Sequence, residues 1–147
     1  MFSLNTYSQE NAPNYIIDFI TTENGLSHNY TTSVISDNLN VKWIGTENGI
    51  TKFNGYDFEY LKPGSKYKEL LNENIEVLFK DKDSNIWIGT KLNGLYKVDP
   101  NKQPMNIIGL PENLKTNSLS DGITAVARDK FDNLAIGTNG LGVVWRN

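Results

Sequence analysis

His28, Glu73 and Asp121 recur at equivalent points of a repeated block, and they are the residue types that general acid–base catalysis uses. Such catalysis needs its groups within hydrogen-bond reach of one substrate. Equivalent positions on successive repeats converge only near a common axis, so capping and solvated-loop roles are the simpler assignment. Asp81-Lys82-Asp83-Ser84-Asn85 opens like a calcium loop, with oxygens at the first, third and fifth positions. Ile86 then stands where that loop requires glycine, and Leu92 where it requires a bidentate glutamate. A tight turn is the expected reading, and no metal or cofactor is expected. With no cysteine, thiolate chemistry and disulfides are excluded, and every serine would have to share the single histidine. Neither a phosphate-binding G-x-x-x-x-G-K-[ST] loop nor a dinucleotide fingerprint is present. The residues favour binding over catalysis.

Binding candidates are the aromatic and amide side chains. Trp43, Trp87 and Trp145 could stack on sugar rings, but the first two belong to the repeated block, where core packing explains them. Tyr30 is an insertion in the first copy, beside His28 and Asn29, and is the aromatic best placed to touch a ligand. Asn48 and Asn93, with Asn139, precede glycines in turns, and their amides suit carbohydrate hydroxyls. A hairpin role explains these asparagines as well. The candidate ligand-binding set is His28, Tyr30, Asn48, Glu73, Asn93 and Asp121.

The elements that position these residues come from the repeat. Asn40-Val41-Lys42-Trp43-Ile44-Gly45-Thr46 returns as Asn85-Ile86-Trp87-Ile88-Gly89-Thr90 and as Asn133-Leu134-Ala135-Ile136-Gly137-Thr138. The glycines lie 44 and 48 residues apart, and Asp37, Asp81 and Asp129 lead the blocks at the same spacings. Self-similarity at this period signals a solenoid or a propeller, whose units bury their apolar faces only by stacking. Each unit opens with leucine (Leu26, Leu71, Leu119) and continues into a β-branched, apolar run, read as the innermost strand. An Asp/Asn turn follows, then the Trp-Ile-Gly-Thr strand, whose glycine marks close approach of a neighbouring sheet. An Asn-Gly turn leads to a third strand, at Ile50 to Phe53, Leu95 to Val98 and Val143 to Trp145. A more polar fourth strand covers Asp57 to Leu61 and Met105 to Ile108.

Four antiparallel strands per repeat describe a propeller blade. The expected fold is all-β: a partial propeller over 1–147, with blades at 26–62 and 71–109 and an incomplete blade at 119–147. An outer strand at 15–21 precedes the first blade out of phase, where other copies place their fourth strand. Closed propellers have about four to eight blades, so three require further blades or self-association. Two chains would supply six blades, each closed by the other's outer strand.

The formal charge is −3 and the 14 Lys and Arg residues are scattered, so nucleic acid is not an expected partner. No apolar stretch reaches the roughly 20 residues that span a bilayer, and Met1-Phe2-Ser3-Leu4-Asn5 does not read as a signal peptide.

Leu26-Ser27-His28-Asn29, Asp37, Trp43-Ile44-Gly45-Thr46 and Asn48-Gly49-Ile50 resemble the two-component regulator propeller repeat. Its pattern runs L-S-x-N, a strand ending in D, then L-W-I-G-T and x-G-L. The resemblance extends from about Glu23 to the end, with Ala135 and Gly122 departing from the usual tryptophan and asparagine. It implies the periplasmic sensor region of a hybrid histidine kinase of Bacteroidetes type, responding to a carbohydrate or polysaccharide-derived signal. The chain itself is then non-enzymatic, with the kinase elsewhere in the full-length protein. Two other readings compete: a protein–protein interaction scaffold without a small ligand, and a propeller lyase or hydrolase.

Overall fold

A computed structural model describes residues 18–61, 74–102, 106–109 and 122–146. All of its regular structure is strand. β1 (Thr31–Ser36), β2 (Lys42–Thr46), β3 (Gly49–Phe53) and β4 (Phe58–Leu61) form one antiparallel sheet in sequence order. β5 (Ile75–Lys80), β6 (Ile86–Thr90), β7 (Leu95–Asp99) and β8 (Asn106–Gly109) form the second in the same way. β9 (Ile123–Arg128), β10 (Leu134–Thr138) and β11 (Gly142–Arg146) form a three-stranded third sheet. The chain is an all-β propeller fragment. Of the expected outer strand, residues 15–17 lie outside the described residues, and 18–20 are exposed and not in a ladder.

Side chains alternate across each sheet because strand residues point to opposite faces in turn. The front face looks toward the next sheet in the chain and the rear face toward the preceding one. Trp43, Ile50 and Leu61 from the first front face join Ile75, Leu78, Ile86, Ile88, Tyr96 and Val98 from the second rear face in one buried cluster. Trp87 and Leu95 from the second front face join Ile123, Val126, Leu134 and Ile136 from the third rear face in another. The core is therefore two interblade layers. The second layer repeats most of the first, with Trp87, Leu95, Ile123, Val126, Leu134 and Ile136 at the positions of Trp43, Ile50, Ile75, Leu78, Ile86 and Ile88, as a stacked repeat requires.

The glycine of the Trp-Ile-Gly-Thr strand is what lets the sheets close up. A Cβ on Gly45 would lie 2.8 Å from Ile75 Cγ2, and one on Gly89 would lie 2.8 Å from Ile123 Cγ2. In both cases the glycine leaves a notch that receives the isoleucine opening the next sheet's first strand. Gly137 has no such visitor; a Cβ there would meet Ala125 and Thr124 of its own sheet. In the first sheet Val34 of β1 is exposed, and no sheet among the described residues lies over it.

Aspartates leading each block close the turns between the first and second strands. Asp37, Asp81 and Asp129 each accept a backbone hydrogen bond from the residue three positions on, namely Asn40, Ser84 and Asp132. Those three residues all take positive φ, between 62° and 77°, the left-handed conformation that short polar side chains tolerate. Each aspartate carboxylate accepts two further backbone N–H bonds within its turn.

Candidate functional site

Two sets of loops occupy opposite ends of the sheets. The N–H groups of Glu47, Lys91 and Asn139 donate to the carbonyls of Tyr30, Asn74 and Gly122. These bonds fix each second-to-third-strand turn beside the start of its own first strand. Gly122 also sits against the Lys91 carbonyl of the preceding sheet, so neighbouring blades align these loops at one end. At the other end, Asn38 Nδ2 donates to Ser84 Oγ, and Lys80 Nζ donates to Asn38 Oδ1. The first end carries the residues with candidate ligand chemistry.

At that end the first sheet brings His28, Tyr30 and Asn48 together. The Tyr30 N–H donates to His28 Nδ1 at 3.0 Å, which turns the chain just before β1 and leaves the Tyr30 ring exposed. Asn48 Nδ2 donates to the Ser27 carbonyl, and the Tyr60 hydroxyl donates to the Asn48 carbonyl. The Asn48 side chain is thus partly engaged in holding the loop. Asn93 stands in the corresponding turn of the second sheet and is exposed. Glu73 and Asp121 lie outside the described residues.

The turns themselves rest on threonine. Thr46, Thr90 and Thr138 each donate their hydroxyl to the carbonyl of the glycine beyond the turn, at 2.9–3.0 Å. Each hydroxyl also accepts a turn N–H, from Asn48, Asn93 and Leu141 respectively. The last residue of Trp-Ile-Gly-Thr is therefore a cap, and it holds the loop ends at a fixed height on every blade. Ser27 adds a second tie in the first sheet, bonding Thr46 Oγ1 and Thr51 Oγ1 at 2.9 Å.

The opposite end contains the strongest electrostatics. Asp81 is shielded from solvent, and its Oδ2 accepts the Trp87 indole N–H at 2.9 Å and Arg128 NH1 at 3.1 Å. Its Oδ1 accepts the N–H groups of Asp83 and Asn85. Burial pushes its pKa up, but the bonds from Trp87 and Asn85 and the charge of Lys97 outweigh burial and hold it below the ordinary carboxylate value. Arg128 reaches Asp81 from the third sheet, bonds Asp132 of its own turn at 2.6 Å and lies over the Trp87 ring at 5.6 Å. With its oxygens already bonded by protein donors, Asp81 is built into the fold. Among the described residues, no group of three or more His, Asp and Glu side chains is placed to hold a metal ion.

The sequence singled out the aspartates only as turn formers. Their indole bonds were signalled by a constant offset: Asp37 precedes Trp43, and Asp81 precedes Trp87, by the same six residues. In the third sheet Ala135 takes the tryptophan position, and Trp145 stands directly across the ladder from it on β11. Lysines occupy that cross-strand position in the other sheets, and Lys52 and Lys97 lie over the Trp43 and Trp87 rings at 5.2 and 5.3 Å. The large ring has moved from the second strand to the third.

Comparison with known proteins shows a likeness to regulator propellers. A family model described as "Two component regulator propeller" matches residues 69–91. The Asp81–Trp87 turn and the Gly89 notch lie inside the matched segment. Three solved structures illustrate the likeness. The extracellular domain assigned to the hybrid two component system BT3049 of B. thetaiotaomicron is 27% identical, with TM-score 0.60, over 80% of this chain and 14% of that one. The extracellular domain assigned to the one component system BT4673 of the same organism is 18% identical, with TM-score 0.63, over 88% and 18%. PorZ, a surface component of the type-IX secretion system of Porphyromonas gingivalis, is 18% identical, with TM-score 0.57, over 79% and 17%. The chain spans less than a fifth of the length of each. A search of curated proteins gave no significant match. No helix among the described residues is long and apolar enough to cross a membrane.

Proposed function

We propose that this chain is a ligand-sensing segment of the extracytoplasmic propeller of a hybrid two-component sensor kinase, located in the periplasm and non-enzymatic in itself. The observation that carries this reading is the 27% identity over 80% of the chain to an extracellular domain assigned to such a system. The division of labour between the sheet ends supports it. The aspartates, glycines and threonines shared by the repeats are consumed in capping turns and interblade packing, whereas Tyr30 and His28 are exposed at one end of the first sheet.

The signal class in this reading is a carbohydrate derived from polysaccharide. An exposed tyrosine ring beside amide and imidazole groups offers an apolar face for a sugar ring and hydrogen-bonding partners for its hydroxyls. His28, Tyr30, Asn48, Glu73, Asn93 and Asp121 are the proposed contacts. Isothermal calorimetry of the chain against plant and host oligosaccharides tests the proposal. Saturable binding that weakens at least tenfold in Tyr30→Ala is the expected result. Silence across the whole panel would instead favour a scaffold that binds protein partners without a small ligand.

A further inference from the structure

We propose that His28 is a pH-sensitive latch on Tyr30, holding it in place at the candidate ligand end while the imidazole is neutral and releasing it when the ring is protonated. The latch belongs to the end read above as the sensing end, and its regulatory meaning rests on that reading. The decisive feature is the atom that closes the turn before β1. Elsewhere the chain closes such turns with an oxygen. Asp37 Oδ1 accepts the Leu39 N–H, Asp81 Oδ1 the Asp83 N–H and Asn54 Oδ1 the Tyr56 N–H, at 2.9–3.0 Å. A carboxylate or amide oxygen has lone pairs to spare and keeps accepting in mildly acid solution. At Tyr30 the acceptor two residues back is the imidazole Nδ1 of His28, at 3.0 Å. That nitrogen has a single lone pair, and protonation removes it.

With Nδ1 accepting, the neutral ring carries its proton on Nε2 and offers that N–H as a donor on an exposed side chain. Protonation places an N–H on Nδ1 as well, so two donors face each other and the turn loses its closing bond. The change is local. The Tyr30 carbonyl accepts the Glu47 N–H at 3.3 Å, and Asn29 Oδ1 accepts the Thr22 N–H at 2.9 Å, so the loop is tied on both sides of the lost bond. β1 stays in its ladder with β2 from Thr31 onward. Release therefore frees Tyr30 without unfolding the sheet.

The titratable groups on the segments around His28 are Glu23 of its own loop, Glu47 of the adjoining turn, and the phenols of Tyr30 and Tyr60. Imidazole is the side-chain type that changes charge between about pH 5 and 8, and His28 is the single histidine of the chain. Tyr56 provides an internal control. It is a second exposed tyrosine held by the same kind of turn, but through the Asn54 amide.

NMR of the 147-residue chain without ligand, titrated from about pH 8 to about pH 5, tests the latch apart from the identity of the signal. At the alkaline end the imidazole nitrogens should report the Nε2–H tautomer. As the ring takes up its proton, the Tyr30 amide shift should move with it and the heteronuclear NOE at residues 29–30 should fall. The Tyr56 amide should keep both. His28→Asn supplies an oxygen acceptor like that of Asn54, and its Tyr30 amide should hold its shift and order across the range. His28→Ala should show the released Tyr30 signals at every pH. Failure of oligosaccharides to bind would count against the sensing reading and leave all these outcomes in place. An Nδ1–H tautomer, a Tyr30 amide that keeps its order while the imidazole titrates, or loss of that order in His28→Asn would each overturn the proposal.

Discussion

Asp81 holds the Trp87 ring by its indole N–H at 2.9 Å, and Arg128 from the next sheet caps the same carboxylate oxygen at 3.1 Å. One buried carboxylate thus closes a turn, orients the largest side chain of its blade and ties two blades together. Asp37 makes the corresponding bond to Trp43 at 3.0 Å, with Lys80 of the second sheet reaching the neighbouring Asn38.

Removing that charge should be costly. Asp81→Asn leaves the indole and the guanidinium facing an amide, and a charge-assisted hydrogen bond is worth about 1.5–3 kcal/mol. Urea unfolding should show a loss of about that size, together with a blue shift or broadening of Trp87 fluorescence. Asp129→Asn, in the more exposed third turn without an indole partner, should lose less.

Asp81 also sets part of the acid limit. Its folded pKa lies below its unfolded value, so its contribution is fully present above the ordinary carboxylate pKa, roughly 3.9. That contribution is lost as pH falls through the folded value, where the native state also takes up the proton. Wild type and Asp81→Asn should therefore converge in stability as pH drops below about 4. Thermal melts between neutral and acid pH measure this; a gap that stays constant would contradict it.

Glycine at the notch should be unreplaceable where a neighbour fills it. Gly89→Ala places a methyl 2.6 Å from Val77 Cγ1 and 2.8 Å from Ile123 Cγ2, an overpacking expected to cost about 1–3 kcal/mol. At Gly137 the nearest atom is Ala125 Cβ at 3.1 Å, and no adjacent sheet presses on it. Gly137→Ala should therefore cost clearly less by the same denaturant measurement.

Filling residues should show the complementary effect. Ile123 is fully buried between the second and third sheets, so Ile123→Ala is expected to lose about 2–5 kcal/mol. Differential scanning calorimetry should show this as a lowered melting temperature.

Much of this architecture is legible in the sequence because a repeat states each contact more than once. The Gly45 and Gly89 notches, the Trp43 and Trp87 core positions and the Asn-Gly turns follow from strand period and turn chemistry. The indole bonds of Asp37 and Asp81 were harder to see, because a six-residue offset becomes a contact only when the turn geometry is known. The reach of Arg128 to Asp81 is a contact between repeats, and no local pattern announces it. The exchange of tryptophan between β10 and β11 needed the ladder register, which sets Trp145 opposite Ala135. The end carrying the candidate ligand residues is the least legible part. Tyr30 stands out as an insertion, yet its exposure depends on the His28 turn, and Glu73 and Asp121 fall outside the described residues.

The central claim is that the repeated residues build the sheets and the loops at the Tyr30 end read the signal. Amide NMR shifts of the chain, titrated with oligosaccharides, test it most directly. Perturbations should cluster at residues 28–30, 46–49, 91–94 and 139–141. Shifts centred instead on the turns at 37–41, 81–85 and 129–133, or none with any oligosaccharide, would contradict the account.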